Sequence, residues 1–295
     1  MTGAGEGTRW VRAMPWVFVL IWSTGFVVAR LGMPHAPPFG FLAWRYALSV
    51  LAFGVWIALA RAAWPTDRAQ WGHLAVTGVL MHAGYLGGVW SAVRQGLGAG
   101  TVALIVGLQP LLTALWVSRS GPAGREAVAG RQWLGLLFGL SGLVLVVWRK
   151  LGLGEVSAPN LALAVVALLS ITAGTLYQKR HVRPCDVRTA SAVQLAVAFA
   201  VSLPFALLES APIEMHRDLV IAMAWSVIAL TLGGSSLLYL LIQRGAATTV
   251  TSLLYLVPPC TAVMAWAMFG EPLTATVLAG MALTAAGVWL VVRAR

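Results

Sequence analysis

The sequence predicts an all-α integral membrane protein with ten transmembrane helices arranged as two inverted five-helix repeats. Three observations carry this. The 295 residues are 59% hydrophobic and only 10% charged, with a mean hydropathy of +0.84. That is too little charge to coat a soluble protein of this length. Apolar runs of about 20 residues, the length a bilayer demands, recur ten times between short polar breaks. The second half of the chain also aligns on the first.

The expected helices cover 14–32, 39–61, 70–93, 97–118, 130–149, 158–178, 188–208, 217–243, 246–269 and 273–293. The runs lack the period-2 alternation of a membrane β-barrel. The first run follows Arg9 and Arg12 as a signal peptide would. It is retained because the repeat uses it as a structural unit. Helices two to four carry Arg45, His82 with Tyr85, and Pro110 in turn. The fifth and tenth end alike, in "GLVLVVWR" and "GVWLVVR". The expected division is a cytoplasmic N-terminal tail (1–13), a first repeat (14–149), a linker (150–157) and a second repeat (158–293).

An offset of 149 residues brings Gly25 onto Gly174, Gly84 onto Gly233, Pro110 onto Pro259 and Trp90 onto Tyr239. After a four-residue loop difference the offset becomes 145, and Gly135 meets Gly280 while Gly142 meets Gly287. Five helices per half place the halves in opposite orientations. Such inverted repeats belong to secondary transporters, which hold substrate near the midplane between the halves.

Charge sets the expected orientation. Of 20 Lys and Arg, 14 fall on the side holding both termini, five on the other, and Arg45 within a span. The positive-inside rule then places both termini in the cytoplasm. The net charge of +11 is a topology signal here, not a nucleic-acid footprint. Cys185 and Cys260 give no disulfide or metal framework. No cofactor is expected, and a monomer in the lipid bilayer is compatible with the sequence.

Proline inside a helix removes a donor and costs about 3 kcal/mol or more. Pro110 and the pair Pro258 and Pro259 fall at mirror-image depths in helices four and nine. Broken backbone is tolerated at that depth where it lines a cavity or is buried in protein. These three prolines are therefore candidate hinges.

"IWSTGFVVAR", "FLAWRYAL", "GTVALIVGLQPLLTAL" and "TTVTSLLYLVPPCTAVMAWAMFGEPLT" stand in an order that resembles the drug/metabolite transporter superfamily, in its ten-helix EamA-type branch. The chain is similar to bacterial aromatic amino acid exporters of that branch. The resemblance covers nearly the whole chain. It implies a carrier of the bacterial inner membrane that exports amino acids or other small metabolites. The first half departs from the pattern after helix four, where "RSGPAGREA" replaces the tighter "MFGEPLT" of the second.

No carboxylate is expected at the midplane, which disfavours proton-for-cation exchange. One intramembrane cation, Arg45, is too few to hold a sugar phosphate, and its position is within snorkelling range of the membrane surface. The candidate substrate-binding residues are Trp22, His82, Tyr85, Trp90, Gln109, Ser170, Ser235, Tyr239, Ser252 and Tyr255. Together they describe a largely apolar pocket with a few polar groups, suited to a neutral or zwitterionic solute. Burial disfavours a charge on His82, so the expected transport is downhill. Proton antiport of other metabolites or drugs is the alternative. An intramembrane enzyme is more distant. It would use "GLSG" (139–142) as a serine motif with His82 as base, but the repeat puts Ala286 at the serine position.

Overall fold

The computed structural model describes residues 3–120, 130–152, 154–234, 237 and 256–292, and among these all regular structure is helical. α1 is Gly3–Gly32 and α2 is Pro38–Ala60. α3 begins as Arg68–Gly78, widens into a π-helical stretch at Val79–Gly84 and continues as Tyr85–Arg94. α4 comes in two pieces, Ala99–Val106 and Gln109–Ser120. α5 is Gly130–Gly152, α6 is Ala158–His181 and α7 is Val187–Leu208. α8 starts as Arg217–Trp225 and turns π-helical over Ser226–Gly234. α9 is described over Val257–Phe269, and α10 is Ala275–Val292. Two boundaries differ from expectation. The N-terminal tail is already helical from Gly3, and α5 runs past residue 149 into the expected linker.

Local chemistry places the helix ends. Asp67 accepts from the Ala69 N–H at 2.9 Å to cap α3, and His216 Nδ1 accepts from the Asp218 N–H at 3.2 Å to cap α8. The two caps are repeat equivalents at the 149-residue offset. Ser157 and Asn160 form a capping box on α6, which satisfies two otherwise orphan donors. α9 stops at Gly270, whose φ of 69° suits a residue without Cβ.

The packing is pseudo-two-fold. α2 lies along α7, α4 against α9, and α5 along α10, so each of these helices meets its own repeat equivalent. Two further sets of contacts are reciprocal. α1 packs on α8 as α6 packs on α3, and α1 on α9 as α6 on α4. The α5–α10 seam is the tightest of the symmetric pairs. A Cβ on Gly142 would run into the carbonyl of Gly280, and one on Gly287 into the carbonyl of Gly135. These collisions exchange under the 145-residue offset, as an antiparallel self-matching seam requires.

Loops assigned to one membrane face touch one another. Glu209 in the α7–α8 loop accepts from the Phe39 and Gly40 N–H groups at the start of α2. Glu271 in the α9–α10 loop accepts from the Ala99 and Gly100 N–H groups of α4. On the other face Gln70 bonds the backbone of Arg183. Large apolar side chains such as Leu51, Leu169, Trp148 and Trp266 point outward, as a lipid-facing surface requires.

Candidate functional site

Helices α1, α3, α4, α6 and α9 enclose a cavity of about 340 Å³ lined by Trp22, Phe26, Met81, Tyr85, Gln109 and Pro110, with Thr175, Gln178, Lys179 and Pro258 on its far wall. A second chamber of about 100 Å³ opens beside it, bounded by Arg45, His82, Trp90 and Thr231. The chambers share Trp22, Phe26, Met81, Tyr85 and Ile171. Lys179 lies near the end of α6 on the face that holds the termini. Arg45 and Trp90 lie toward the opposite face. The joined space matches the size of small-molecule sites, which are concave, mostly apolar and fitted with few polar groups.

The π-helical stretches of α3 and α8 build the polar layer of this cavity. Such bulges re-aim side chains and recur at functional sites. His82 sits in one and Thr231 in the other, and these two are repeat equivalents. Each faces a residue of the neighbouring half. Arg45 Nη2 donates to Thr231 Oγ1 at 3.3 Å, while the Gln194 side chain sits beside His82. Arg45 and Gln194 are themselves equivalent at the 149-residue offset. The pseudo-two-fold therefore relates a charged pair, Arg45 with Thr231, to a neutral pair, Gln194 with His82. Tyr46 donates its hydroxyl to the His82 carbonyl at 2.9 Å, and Thr231 Oγ1 donates to the Ser226 carbonyl at 2.8 Å. Both bonds satisfy carbonyls within the bulges.

Arg45 departs from the snorkelling expectation. It is only 7% exposed, and its guanidinium lies over Trp90 at 5.9 Å from the ring centroid. Trp90 in turn stacks on Phe41 at 4.3 Å. α8 covers the side chain through Thr231, so the stem cannot carry the charge to the membrane surface. Among the described residues Arg45 makes no ion pair, and its Nε is buried without an acceptor. A buried unpaired cation is costly, by several kcal/mol after relaxation.

Of the residues singled out from sequence, Trp22, His82, Tyr85, Trp90 and Gln109 line the two chambers. Gln109 Nε2 also donates to Thr175 Oγ1 at 2.9 Å, tying α4 to α6. Ser170 lines neither chamber. It packs in the α3–α6 seam, where a Cβ on Gly84 would sit 2.8 Å from its Oγ. Ser235, Tyr239, Ser252 and Tyr255 lie outside the described residues. Sequence reasoning missed Arg45 as a cavity-lining residue, although the offset pairs it with the polar Gln194. The same offset pairs Thr231 with His82, which makes a polar wall of α3 and α8 legible in the sequence.

Pro110 does not interrupt a continuous helix. Pro110 occupies the first turn of the second piece of α4, and Pro258 and Pro259 that of α9. First-turn positions need no intrahelical donor, so proline is tolerated there. The break in α4 falls at Gly107 and Leu108, where the last turn tightens through Leu108 N–H to Ile105 at 3.1 Å. The two irregular points meet: a Cβ on Gly107 would lie 2.9 Å from Pro258 Cγ. Pro110 and Pro258 line the larger chamber, and Pro259 lies behind it against Met281 and Thr284.

The serine of "GLSG", Ser141, is exposed on α5, on a helix that packs along α10 through Gly139 and Gly142. It is not part of the wall that holds His82.

Two inverted helical halves, a helix broken within the membrane and a cavity between the halves define a secondary transporter of the multi-pass membrane class. The chain belongs to the EamA-like transporter family, which matches it twice, over residues 13–148 and 159–293. A probable amino-acid metabolite efflux pump of Salmonella typhimurium is 23% identical, covering 92% of this chain and 91% of that protein. An uncharacterized transporter of Archaeoglobus fulgidus is 24% identical over 92% of this chain and 93% of its own length. Another, from Bacillus subtilis, is 23% identical over 92% and 88%. A chain of known crystal structure superposes with a TM-score of 0.65 at 20% identity, covering 94% of both chains, which is a likeness of fold.

Proposed function

We propose that this transporter exports amino acids with aromatic or larger apolar side chains from the cytoplasm. It would do so across a bacterial inner membrane, by alternating access and down the concentration gradient. The observation that carries this is the aromatic cavity between the repeats. Trp22, Phe26, Tyr85 and Trp90 supply apolar walls, and a short polar layer supplies orientation. The probable amino-acid metabolite efflux pump among its relatives supports the substrate class. Downhill transport is favoured because, among the described residues, no carboxylate lines either chamber. A buried neutral imidazole at position 82 serves better as a hydrogen-bond partner than as an obligatory proton carrier.

The test is flux of labelled amino acids in proteoliposomes, with and without an imposed pH difference, for the wild type and His82→Ala. Saturable flux of phenylalanine and its apolar relatives is expected, with no requirement for the gradient and weaker apparent affinity in the variant. Strict gradient dependence that disappears in His82→Ala would make His82 a proton carrier. Flux of sugar phosphates or quaternary cations without amino acids would overturn the substrate class.

A further inference from the structure

The exporter reading leaves one question about its own site: which part of the substrate the cavity recognises by charge. Among the described residues, Arg45 is the one Lys, Arg, Asp or Glu that lines the smaller chamber. Arg45 is buried, makes one hydrogen bond, to Thr231, and keeps Nε without an acceptor among the described residues. Its repeat equivalent, Gln194, is neutral and sits beside His82. Of the two cations that line the joined space, Arg45 is the buried one, while Lys179 is exposed at the opposite end of the larger chamber.

The surroundings keep that charge in place. Trp90 lies beneath the guanidinium, and Phe41 stacks behind Trp90. Phe41 and Trp90 are each about 1% exposed, so the platform cannot swing aside without repacking the core. A guanidinium carries its donors along the edges of a planar fork. That fork matches two carboxylate oxygens, and a low-dielectric site strengthens the pairing. The chamber of about 100 Å³ has room for a carboxylate and its attached carbon. The larger chamber, which shares Trp22 and Tyr85 with the smaller one, has room for an aromatic body.

We propose that Arg45 is the carboxylate-binding residue of the cavity, so that the substrates are monocarboxylates with an apolar body. Their carboxylate pairs with the guanidinium beside Thr231 and Trp90, and the body lies against Trp22, Phe26 and Tyr85. The described chamber walls offer no anionic partner for an ammonium group. The recognised charge is thus the carboxylate alone, and aromatic acids that lack the amine also bind. This rests on the transport reading for its setting, but it is read by binding.

The experiment measures equilibrium binding to the full-length protein in lipid nanodiscs. Three probes separate the groups: phenylalanine, phenylalanine amide and 3-phenylpropionate. Wild type should bind phenylalanine and 3-phenylpropionate at least about tenfold more tightly than the amide. Arg45→Gln should bring all three to the same weak level. Arg45→Lys keeps the charge but loses the fork, and should retain only part of the preference.

Equal binding of acid and amide by the wild type overturns the proposal without any variant, as does an unchanged preference in Arg45→Gln. If Arg45→Gln fails to fold, Arg45→Lys decides: an undiminished tenfold preference counts against the fork, a reduced one for it. Arg45-dependent binding of 3-phenylpropionate without amino-acid flux would reject the exporter reading and keep the carboxylate site. Amino-acid flux with no distinction between acid and amide would do the reverse.

Discussion

Asp186 closes the N-terminus of α7 with one carboxylate. It accepts from the Arg188 backbone N–H at 2.9 Å and from Arg188 Nε and Nη2 at 2.9 and 2.6 Å. The Arg188 side-chain hydrogen bonds hold the Asp186 carboxyl below the usual carboxylate range. A depressed folded-state value means the stabilisation is present above the unfolded value, near pH 4, and is lost as pH falls through the folded one. Asp186→Asn keeps a good cap and removes the charge. It should lower the thermal midpoint in detergent by about 1–3 °C at pH 7, the scale of a partly solvated ion pair. The difference should shrink as pH falls below about 4, and one that stays constant through that range would assign the effect to the cap rather than the charge. The same scale shows why Arg45 is hard to read from sequence. α2 is apolar on nearly every face, so no stripe reveals which way a side chain points. Seven residues from the start of α2, an arginine is equally consistent with a stem reaching the surface. Its fate is decided by α8, more than 180 residues away, which lies across it. Ser170 illustrates the converse. A serine at mid-span reads as cavity-lining, but helical rotation turns it toward Gly84 in the α3–α6 seam.

Elements were more legible than side chains. Helix positions follow from apolar run length, and the repeat offset predicts which helices share a role. The same offset aligns the two π-helical stretches, yet nothing in their composition distinguishes them from α-helix. They arise where α2 and α7 press against α8 and α3, a tertiary effect that propensity does not encode. The break at Pro110 was legible in place but not in kind. Gly107 and Leu108 interrupt α4, and Pro110 falls in the first turn of the next segment. The α5–α10 seam tests how far small residues hold the halves together. Gly142→Val puts a side chain against the backbone of Gly280 and the Thr284 hydroxyl. Backbone cannot yield as a flexible side chain does, so the cost should reach the upper end of overpacking, about 3 kcal/mol. A drop in thermal midpoint of about 6–12 °C is expected in detergent, whereas Ser141→Ala on the exposed face of the same helix should change it by less than about 2 °C. Similar midpoints for the two variants would mean the seam is not closely packed.

At the scale of the whole molecule, a set of polar contacts holds the face opposite the termini together. Opposite the termini, Glu271 clamps the start of α4, Glu209 clamps the start of α2, and Arg94 Nη1 donates to the Met33 carbonyl. Lys150 pairs with Glu155 at 2.6 Å, and Asn160 ties that loop to the Gln95 carbonyl. Behind these contacts the Arg45 chamber is sealed, with Val89, Trp90 and Leu97 at most 2% exposed. A carrier that alternates access must release this face while its central cavity keeps its form. Glu271 is the contact best placed to hold it shut, because it combines two backbone hydrogen bonds with a negative charge at a helix N-terminus. If those bonds exist only in the closed arrangement, Glu271→Ala should shift the equilibrium toward opening by roughly 1 kcal/mol, about fivefold in population. The measurement uses Val89→Cys as the sole thiol, with Cys185 and Cys260 replaced by serine, and a membrane-impermeant thiol reagent added outside intact cells. Labelling should be slow in the parent and about fivefold faster with Glu271→Ala, because, with the termini in the cytoplasm as the charge distribution predicts, the reagent reaches position 89 only when the opposite face parts. Unchanged labelling with a lowered thermal midpoint would mean that the cap persists in both states. In that case the switch would lie in the contacts of Glu209 and Arg94 instead.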